Sequence, residues 1–281
     1  MTLRTILFPT DFSGRCDRPR ARAVQLARQS DAQLVLLHVL TEPDTELMAS
    51  ERCAELEHVE ARLRAEVDDV TVTVTTILAH GDVANAILTA AKRVEADLIV
   101  AGISRHDEIG DFVVGTTVER LVRHAHAPVL VVKESARQDY QRMMVATDFS
   151  DCSAAALRTG LAMFPDAEVT LLHAYSVPLE TLRGREGPAA ALQAEIAFEL
   201  SSFVESLDIG EEARERLQVN IDYGPVSQVA RDHVRTSDTD LAVVGTRGRT
   251  ALVAAALGSA ARSLLADLEC DVLLVRQRGD G

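Results

Sequence analysis

The sequence has no tryptophan, only three tyrosines and only seven phenylalanines in 281 residues. A core must therefore be built from aliphatic side chains, and Ala, Val and Leu dominate the apolar segments. Cysteine is scarce too: Cys16, Cys53, Cys152 and Cys270 stand far apart, with no C-x-x-C pair. That spacing excludes a disulfide framework and a zinc ribbon and fits a reducing compartment. Small buried thiols are the expectation, with a redox role for Cys16 and Cys152 the alternative. No apolar run approaches the ~20 residues of a membrane span. The opening MTLRTILFPTDFS reaches polar residues too early for a signal peptide. Positive charge is in deficit, 29 Lys and Arg against 43 Asp and Glu, for a net charge of −14. This argues against nucleic acid or an anionic membrane as partner. The expectation is a cytoplasmic protein, long enough for one large domain or two of ordinary size.

The chain repeats itself. Thr10-Asp-Phe-Ser13 recurs as Thr147-Asp-Phe-Ser150, and Leu36-Leu-His-Val39 as Leu171-Leu-His-Ala174. Asp97-Leu-Ile-Val-Ala-Gly102 recurs as Asp240-Leu-Ala-Val-Val-Gly245, Gly115-Thr116 as Gly258-Ser259, and Val129-Leu-Val-Val132 as Val272-Leu-Leu-Val275. A repeat this long is a duplicated domain rather than a solenoid unit. The polar SARQDY near Ser135–Tyr140 marks the boundary, giving domains of residues 1–137 and 138–281.

Each unit alternates strand and helix. In the first, strands are predicted at Thr5–Pro9, Gln33–Leu40, Val70–Leu78, Asp97–Ala101 and Val129–Lys133. Helices are predicted at Pro19–Ser30, Thr45–Val67, Val83–Val94 and Thr116–His124. The second unit follows suit, with a helix around Ala189–Leu207 and a last strand at Val272–Arg276. Such alternation implies a parallel sheet covered on both faces, whose ligands sit beyond the carboxyl ends of the strands where strand order reverses.

The loop after Val244 is the most informative stretch. Gly245, Gly248 and Gly258-Ser259 follow a strand and precede a helix, at G-x-x-G-x9-G-S spacing. Glycine lets backbone N–H groups approach an anion closely, and a helix beginning at Ser259 offers N–H groups and a favourable dipole to a phosphate. Arg247 and Arg249 add positive charge. Taken singly, each glycine also suits a strand end or a helix cap; the spacing favours a phosphate cradle. Asp148 ends the first strand of the second unit, where a carboxylate can accept hydrogen bonds from a nucleoside or serve as a helix N-cap. The first unit departs from the pattern: Arg105 stands in place of the middle glycine, and Asp107, Glu108 and Asp111 add negative charge. His124 and His126 look like a metal pair, but a helix C-terminus accounts for them better. His38 and His173, at equivalent strand ends, are taken as structural.

On TDFS after the first strand of both halves, LLH-V/A after the second, and G-x-x-G-x9-G-[ST] before a final helix and V-L-x-V strand, the chain resembles the universal stress proteins in tandem form. The resemblance spans essentially both halves. It implies an α/β fold of two tandem Rossmann-like domains, each a five-stranded parallel sheet of order 3-2-1-4-5 with helices on both faces. It implies ATP as ligand and a regulatory role in the stress response; the loop offers N–H groups, hydroxyls and arginines but no carboxylate cage, so magnesium is expected to be needed little or only indirectly. Carried over by position, the nucleotide-binding set is Asp148, Ala174 (main chain), Val244, Gly245, Gly248, Gly258, Ser259 and Ala260. The degenerate first set is Asp11, Val39, Gly102, Arg105, Gly115 and Thr116. The resemblance further implies that the last strands of the two halves pair within one chain. A homodimer of the whole chain is compatible with the sequence but is not read from it.

Two other classes stay open. One is a nucleotide-free binding or scaffold protein; the other is a weak ATPase or nucleotidyl-transfer enzyme. No G-x-S-x-G, H-E-x-x-H or G-x-x-x-x-G-K-[ST] motif occurs, nor any SGGxDS-like or HIGH-like loop. No nucleophile–base pair stands out, so no catalytic residue and no metal ligand is assigned.

Overall fold

A computed structural model describes residues 3–40, 49–105, 112–113, 115–175, 187–248 and 257–277. In the first half the order is β1 (Thr5–Pro9), α1 (Asp17–Ser30), β2 (Gln33–Leu40), α2 (Ala49–Ala65), β3 (Val74–His80), α3 (Val83–Arg93), β4 (Leu98–Gly102), the short β5 (Ser104–Arg105) and β6 (Phe112–Val113), α4 (Thr116–His124) and β7 (Val129–Val132). The second half runs β8 (Arg142–Ala146), α5 (Asp151–Met163), β9 (Glu168–Tyr175), α6 (Gly187–Ser206), α7 (Glu211–Glu215), β10 (Leu217–Tyr223), α8 (Val226–Thr236), β11 (Leu241–Gly245), α9 (Ser259–Asp267) and β12 (Asp271–Val275).

Ten of the described strands form one sheet of order β10-β9-β8-β11-β12-β7-β4-β1-β2-β3, and β5 and β6 pair separately. Each half contributes five parallel strands whose order reverses beside its first strand, so the crevices lie at β1/β4 and β8/β11. The halves join through β7 and β12, which pair antiparallel with Leu130 opposite Leu273. These two leucines hold equivalent places in the repeat, so the local relation between the halves is twofold. The last strands lie at the centre of the sheet, and the outer edges are β3 and β10.

Strand alternation divides the core. Ile6, Phe8, Leu34, Leu36, Leu130 and Leu273 belong to one apolar layer, which α1 and α5 cover with Leu26 and Leu157. Leu7, Val35, Leu37, Val131, Val272 and Leu274 belong to the other, with Ile87 of α3, Leu121 of α4 and Leu264 of α9. Both layers run without a break through the two halves. The start of each sheet is pinned in the same way. Asp97 Oδ2 accepts from the N–H groups of Arg4 (2.9 Å) and Thr5 (3.1 Å), and the Asp240 carboxylate from those of Gln141 (2.8 Å) and Arg142 (3.2 Å).

One local reading needs correction. The strand predicted from Val70 begins at Val74, because Asp69 Oδ1 accepts from the Thr71 N–H (2.9 Å) and hydroxyl (2.6 Å) and turns the chain there. The second helix occupies Ala49–Ala65; the rest of its predicted amino end, 45–48, lies outside the described residues. The β5–β6 ribbon and α7 carry no apolar periodicity long enough to be read from sequence. No described helix is long and apolar enough to cross a membrane.

Candidate functional site

The TDFS motif builds the same turn twice. Thr147 continues the β8 ladder by donating its N–H to Leu172 O at 2.9 Å, and its Oγ1 accepts from the Phe149 N–H at 3.0 Å. Phe149 takes a left-handed conformation, φ 62°, an uncommon state for a bulky residue. The surroundings hold it there: the ring stacks on His173 at 4.3 Å, and His173 Nδ1 lies 2.9 Å from Thr147 O. In the first half Phe12 has φ 60°, its ring lies 4.4 Å from His38, and His38 Nδ1 is 2.8 Å from Thr10 O. His38 and His173 thus fix the turn that presents Asp11 and Asp148. The strained phenylalanines were overlooked by sequence reasoning, although their repetition within TDFS was the available signal.

Asp148 is not the helix cap. Ser150 caps α5, accepting from the Ser153 N–H at 3.2 Å. Asp148 Oδ1 accepts from the Ser150 hydroxyl at 2.6 Å and N–H at 3.2 Å, which orients the carboxylate at the carboxyl end of β8. Gly248 meets it there: a Cβ on Gly248 would lie 2.8 Å from Asp148 Oδ2. A larger residue at 248 would require the Asp148 carboxylate to move and to disturb its bonds to Ser150. Gly258 closes the loop from the other side, donating its N–H to Thr246 O at 2.9 Å. It is the N-cap of α9 and supplies no side-chain cap, and Ser259 and Ala260 of the first turn are exposed. Such an uncapped helix start beside a glycine loop suits an anion.

The constraint at Gly245 has a different source. A Cβ there would sit 3.0 Å from both the carbonyl carbon and the oxygen of Cys152, so β11 can lie against the start of α5 only without a side chain. Gly102 is similar but less tight, 3.2 Å from Pro19 Cγ and 3.3 Å from Arg15 O. Val244 is buried in β11, and Ala174 lies two strands away on β9, paired with Asp222. Asp148, Gly248, Gly258 and the α9 start therefore gather at one place, with Ala174 at its margin. Arg247 is partly buried beside them; Arg249 lies outside the described residues.

The corresponding stretch of the first half forms a ribbon. Ser104 pairs with Val113 and Arg105 with Phe112, so the chain after β4 returns as a two-stranded ribbon. Asp107, Glu108 and Asp111 lie outside the described residues. Gly115 is the N-cap of α4, which begins at Thr116, and Val39 lies near the end of β2 paired with Ala79. Burial of Asp11 opposes its ionisation, but the adjacent Ser13, whose N–H donates to Oδ1 at 2.9 Å, the Cys16 thiol at 3.2 Å and the charge of Arg15 outweigh it, so its carboxyl lies below the usual range. The Cys16 thiol is pushed up, chiefly by burial. Cys152 and Cys270 are buried and Cys16 partly so, all three unpaired. α4 ends at His124, which places that histidine in its last turn.

The model of the universal stress protein family matches residues 2–133 and again 139–276. Among curated proteins, a universal stress protein of Methanocaldococcus jannaschii is 26% identical over 48% of this chain and 85% of its own length. Universal stress protein G of Escherichia coli is 31% identical over 46% of this chain and 99% of its own. Among solved structures, a protein of Pseudomonas aeruginosa described as a universal stress protein covers 98% of this chain and 93% of its own, with TM-score 0.68 and 21% identity. One from Archaeoglobus fulgidus covers 99% of this chain and 97% of its own, with TM-score 0.63 and 17% identity. The single-domain relatives match one half at a time, whereas the tandem structures match the whole fold. With two successive family matches across nearly its full length, this chain belongs to the universal stress protein family as a tandem of two such domains.

Proposed function

We propose that the protein is an ATP-binding regulator of the stress response that holds one nucleotide at the carboxyl edge of the second-half sheet. The observation that carries this reading is the approach of Gly248 to Asp148, where a Cβ would stand 2.8 Å from the carboxylate. Asp148 accepts hydrogen bonds from the nucleoside, the backbone of 245–248 lies along the phosphates, and the first turn of α9 receives the terminal ones. Magnesium enters with the phosphates, since Asp148 is assigned to the nucleoside. The functional units divide at residues 137 and 138. Through the β7–β12 seam one chain serves as the counterpart of a dimer of single-domain relatives. The first half, with Arg105 in place of the middle glycine, does not share in nucleotide binding.

The nucleotide content of the purified protein, followed by calorimetric titration with ATP, tests this. The expected result is one site per chain, weakened about tenfold or more by Asp148→Ala and unchanged by Asp11→Ala, since a hydrogen bond to a charged group is worth about 1.5–3 kcal/mol. Two equivalent sites, or equal effects of the two substitutions, would refute the assignment.

A further inference from the structure

The most deeply buried charges of the described residues lie at the seam between the halves, away from the loops discussed above. Asp271, the first residue of β12, is 0% exposed. Its Oδ1 accepts from the N–H groups of Lys133 (2.8 Å) and Glu134 (2.9 Å), its Oδ2 from the Tyr140 hydroxyl (2.5 Å), and Arg22 Nε lies 3.4 Å from Oδ2. Arg22 lies over the Tyr140 ring at 4.1 Å and donates to Gln138 O at 2.9 Å. This network ties α1, the connection between the halves, and β12 together.

Lys133 follows β7 and is 1% exposed. Its ammonium crosses the seam and donates to the carbonyls of Leu265 and Leu268, both at 2.6 Å. Leu265 is in the last turn of α9 and Leu268 is its C-cap. A cation there satisfies carbonyls that a helix end leaves without intrahelical partners and complements the dipole. The mirror contact exists but is weaker. Arg276 follows β12 as Lys133 follows β7, is exposed, and donates to a single α4 carbonyl, that of Arg123, at 2.8 Å. Nearer the amino end of α9, Arg262 Nη1 lies 3.8 Å from Glu119 Oε1 of the first half.

We propose that Lys133 is a positioning residue for the nucleotide site of the second half: the first half grips α9 by its C-terminal carbonyls and so fixes Ser259 and Ala260 against the 245–248 loop. This rests on the nucleotide reading given above. α9 has nine residues, short enough to move as one rod, so a shift at Leu268 is carried to Ser259. A ligand site loosened by about 1 Å loses affinity even when every contacting residue is present. The half that lacks the glycine loop thereby acts on the half that has it.

The test uses the full-length chain with Lys133→Met, read by ATP calorimetry and by amide hydrogen exchange at Ser259–Arg262 in the nucleotide-free protein. The expected result is a three- to tenfold loss of ATP affinity, about the size of a helix-terminal charge contact, with faster exchange in that first turn. Tyr140→Phe disturbs the same seam without touching α9. It should lower the unfolding temperature while leaving ATP affinity and α9 exchange as in the parent. Arg276→Met should likewise spare both. Parent-like affinity and exchange in Lys133→Met would overturn the proposal, and so would equal losses in Tyr140→Phe, which would mean general loosening. If Lys133→Met does not fold, Lys133→Gln, which keeps two N–H donors, is judged by the same criteria with a smaller expected loss. If the parent binds no ATP, the nucleotide reading fails, and the exchange comparison alone decides whether Lys133 positions α9.

Discussion

After β11 the backbone runs through Thr246 to Gly248 and passes so near the Asp148 carboxylate that a Cβ at 248 would lie 2.8 Å from Oδ2. After β4 the equivalent stretch turns back as a ribbon, with Arg105 paired to Phe112. Everything beneath these loops is shared: the left-handed phenylalanine, the histidine behind it, the aspartate that pins the first strand, and the glycine that ends the fourth. The contrast teaches that the scaffold and the loop it carries are separable. Among the described residues the two halves differ here, Gly248 against Arg105, while the sheet below stays the same.

The largest effect is expected where the halves differ most in buried charge. The place of Asp271 in the repeat is taken in the first half by Pro128, so the carboxylate at the seam has no counterpart. Asp271→Ala leaves the Arg22 guanidinium buried without its anion and should cost about 3–5 kcal/mol in urea unfolding, the usual result of breaking a buried pair. An effect below about 1 kcal/mol would show that the seam is wetter than its geometry implies.

Next comes the loop itself. Gly248→Arg gives the second half the residue of the first and should reduce ATP affinity at least a hundredfold, about 3 kcal/mol, with only a small loss of stability, because position 248 is exposed and the atom displaced is the end of the Asp148 side chain. Arg105→Gly alone should create no second site in the same titration, since Asp107, Glu108 and Asp111 remain. A third comparison concerns the strand-ending glycines. Gly245→Ala pushes a methyl group to 3.0 Å from the Cys152 backbone, which cannot swing aside, and should destabilise by about 1–3 kcal/mol. Gly102→Ala, whose nearest contacts are 3.2 and 3.3 Å, should cost less in the same denaturant series.

The smallest effect is a pH dependence at the seam. Burial of Lys133 lowers its pKa from 10.5 to about 8, and the neighbouring Cys270 and Asp271 only partly oppose this. Below about 8 the lysine is charged folded and unfolded alike; from there to 10.5 the unfolded chain binds more protons, so this group makes stability rise with pH. Burial pushes the Cys270 thiol from 9.0 to about 12, so above 9 the unfolded chain loses that proton first and stability falls. The net rise should be confined to roughly pH 8–9. Urea titrations at closely spaced pH should show the rise vanish in Lys133→Met and extend to higher pH in Cys270→Ala.

Much of the fold was legible because its signals are local. Buried parallel strands read as apolar runs, and Thr116–His124 is a helix with the predicted bounds because Gly115 and the polar residues flanking it punctuate the pattern. The start of β3 was misplaced because the Asx turn at Asp69 competes with a β-branched run that looks like strand throughout. In the site, the glycine spacing brought out Gly248 and Gly258, yet it did not distinguish Gly245, whose constraint comes from α5 far back in the chain. The seam was the least legible part. Arg22, Tyr140, Lys133 and Asp271 are distant in sequence, and each resembles an ordinary surface residue until β7 and β12 are side by side.

The antiparallel joint of β7 and β12 has a consequence for how such a molecule changes over generations. In a symmetric dimer of identical chains every substitution is made twice, once in each site, and a residue that ruins one ruins both. Here the two partners are written separately in a single polypeptide, with Leu130 and Leu273 meeting on the local axis. An arginine can enter one loop while the other keeps its glycine, and an aspartate can enter one strand without facing its own copy. Covalent linkage thus turns a duplicated domain into two parts that are inherited together yet substituted separately.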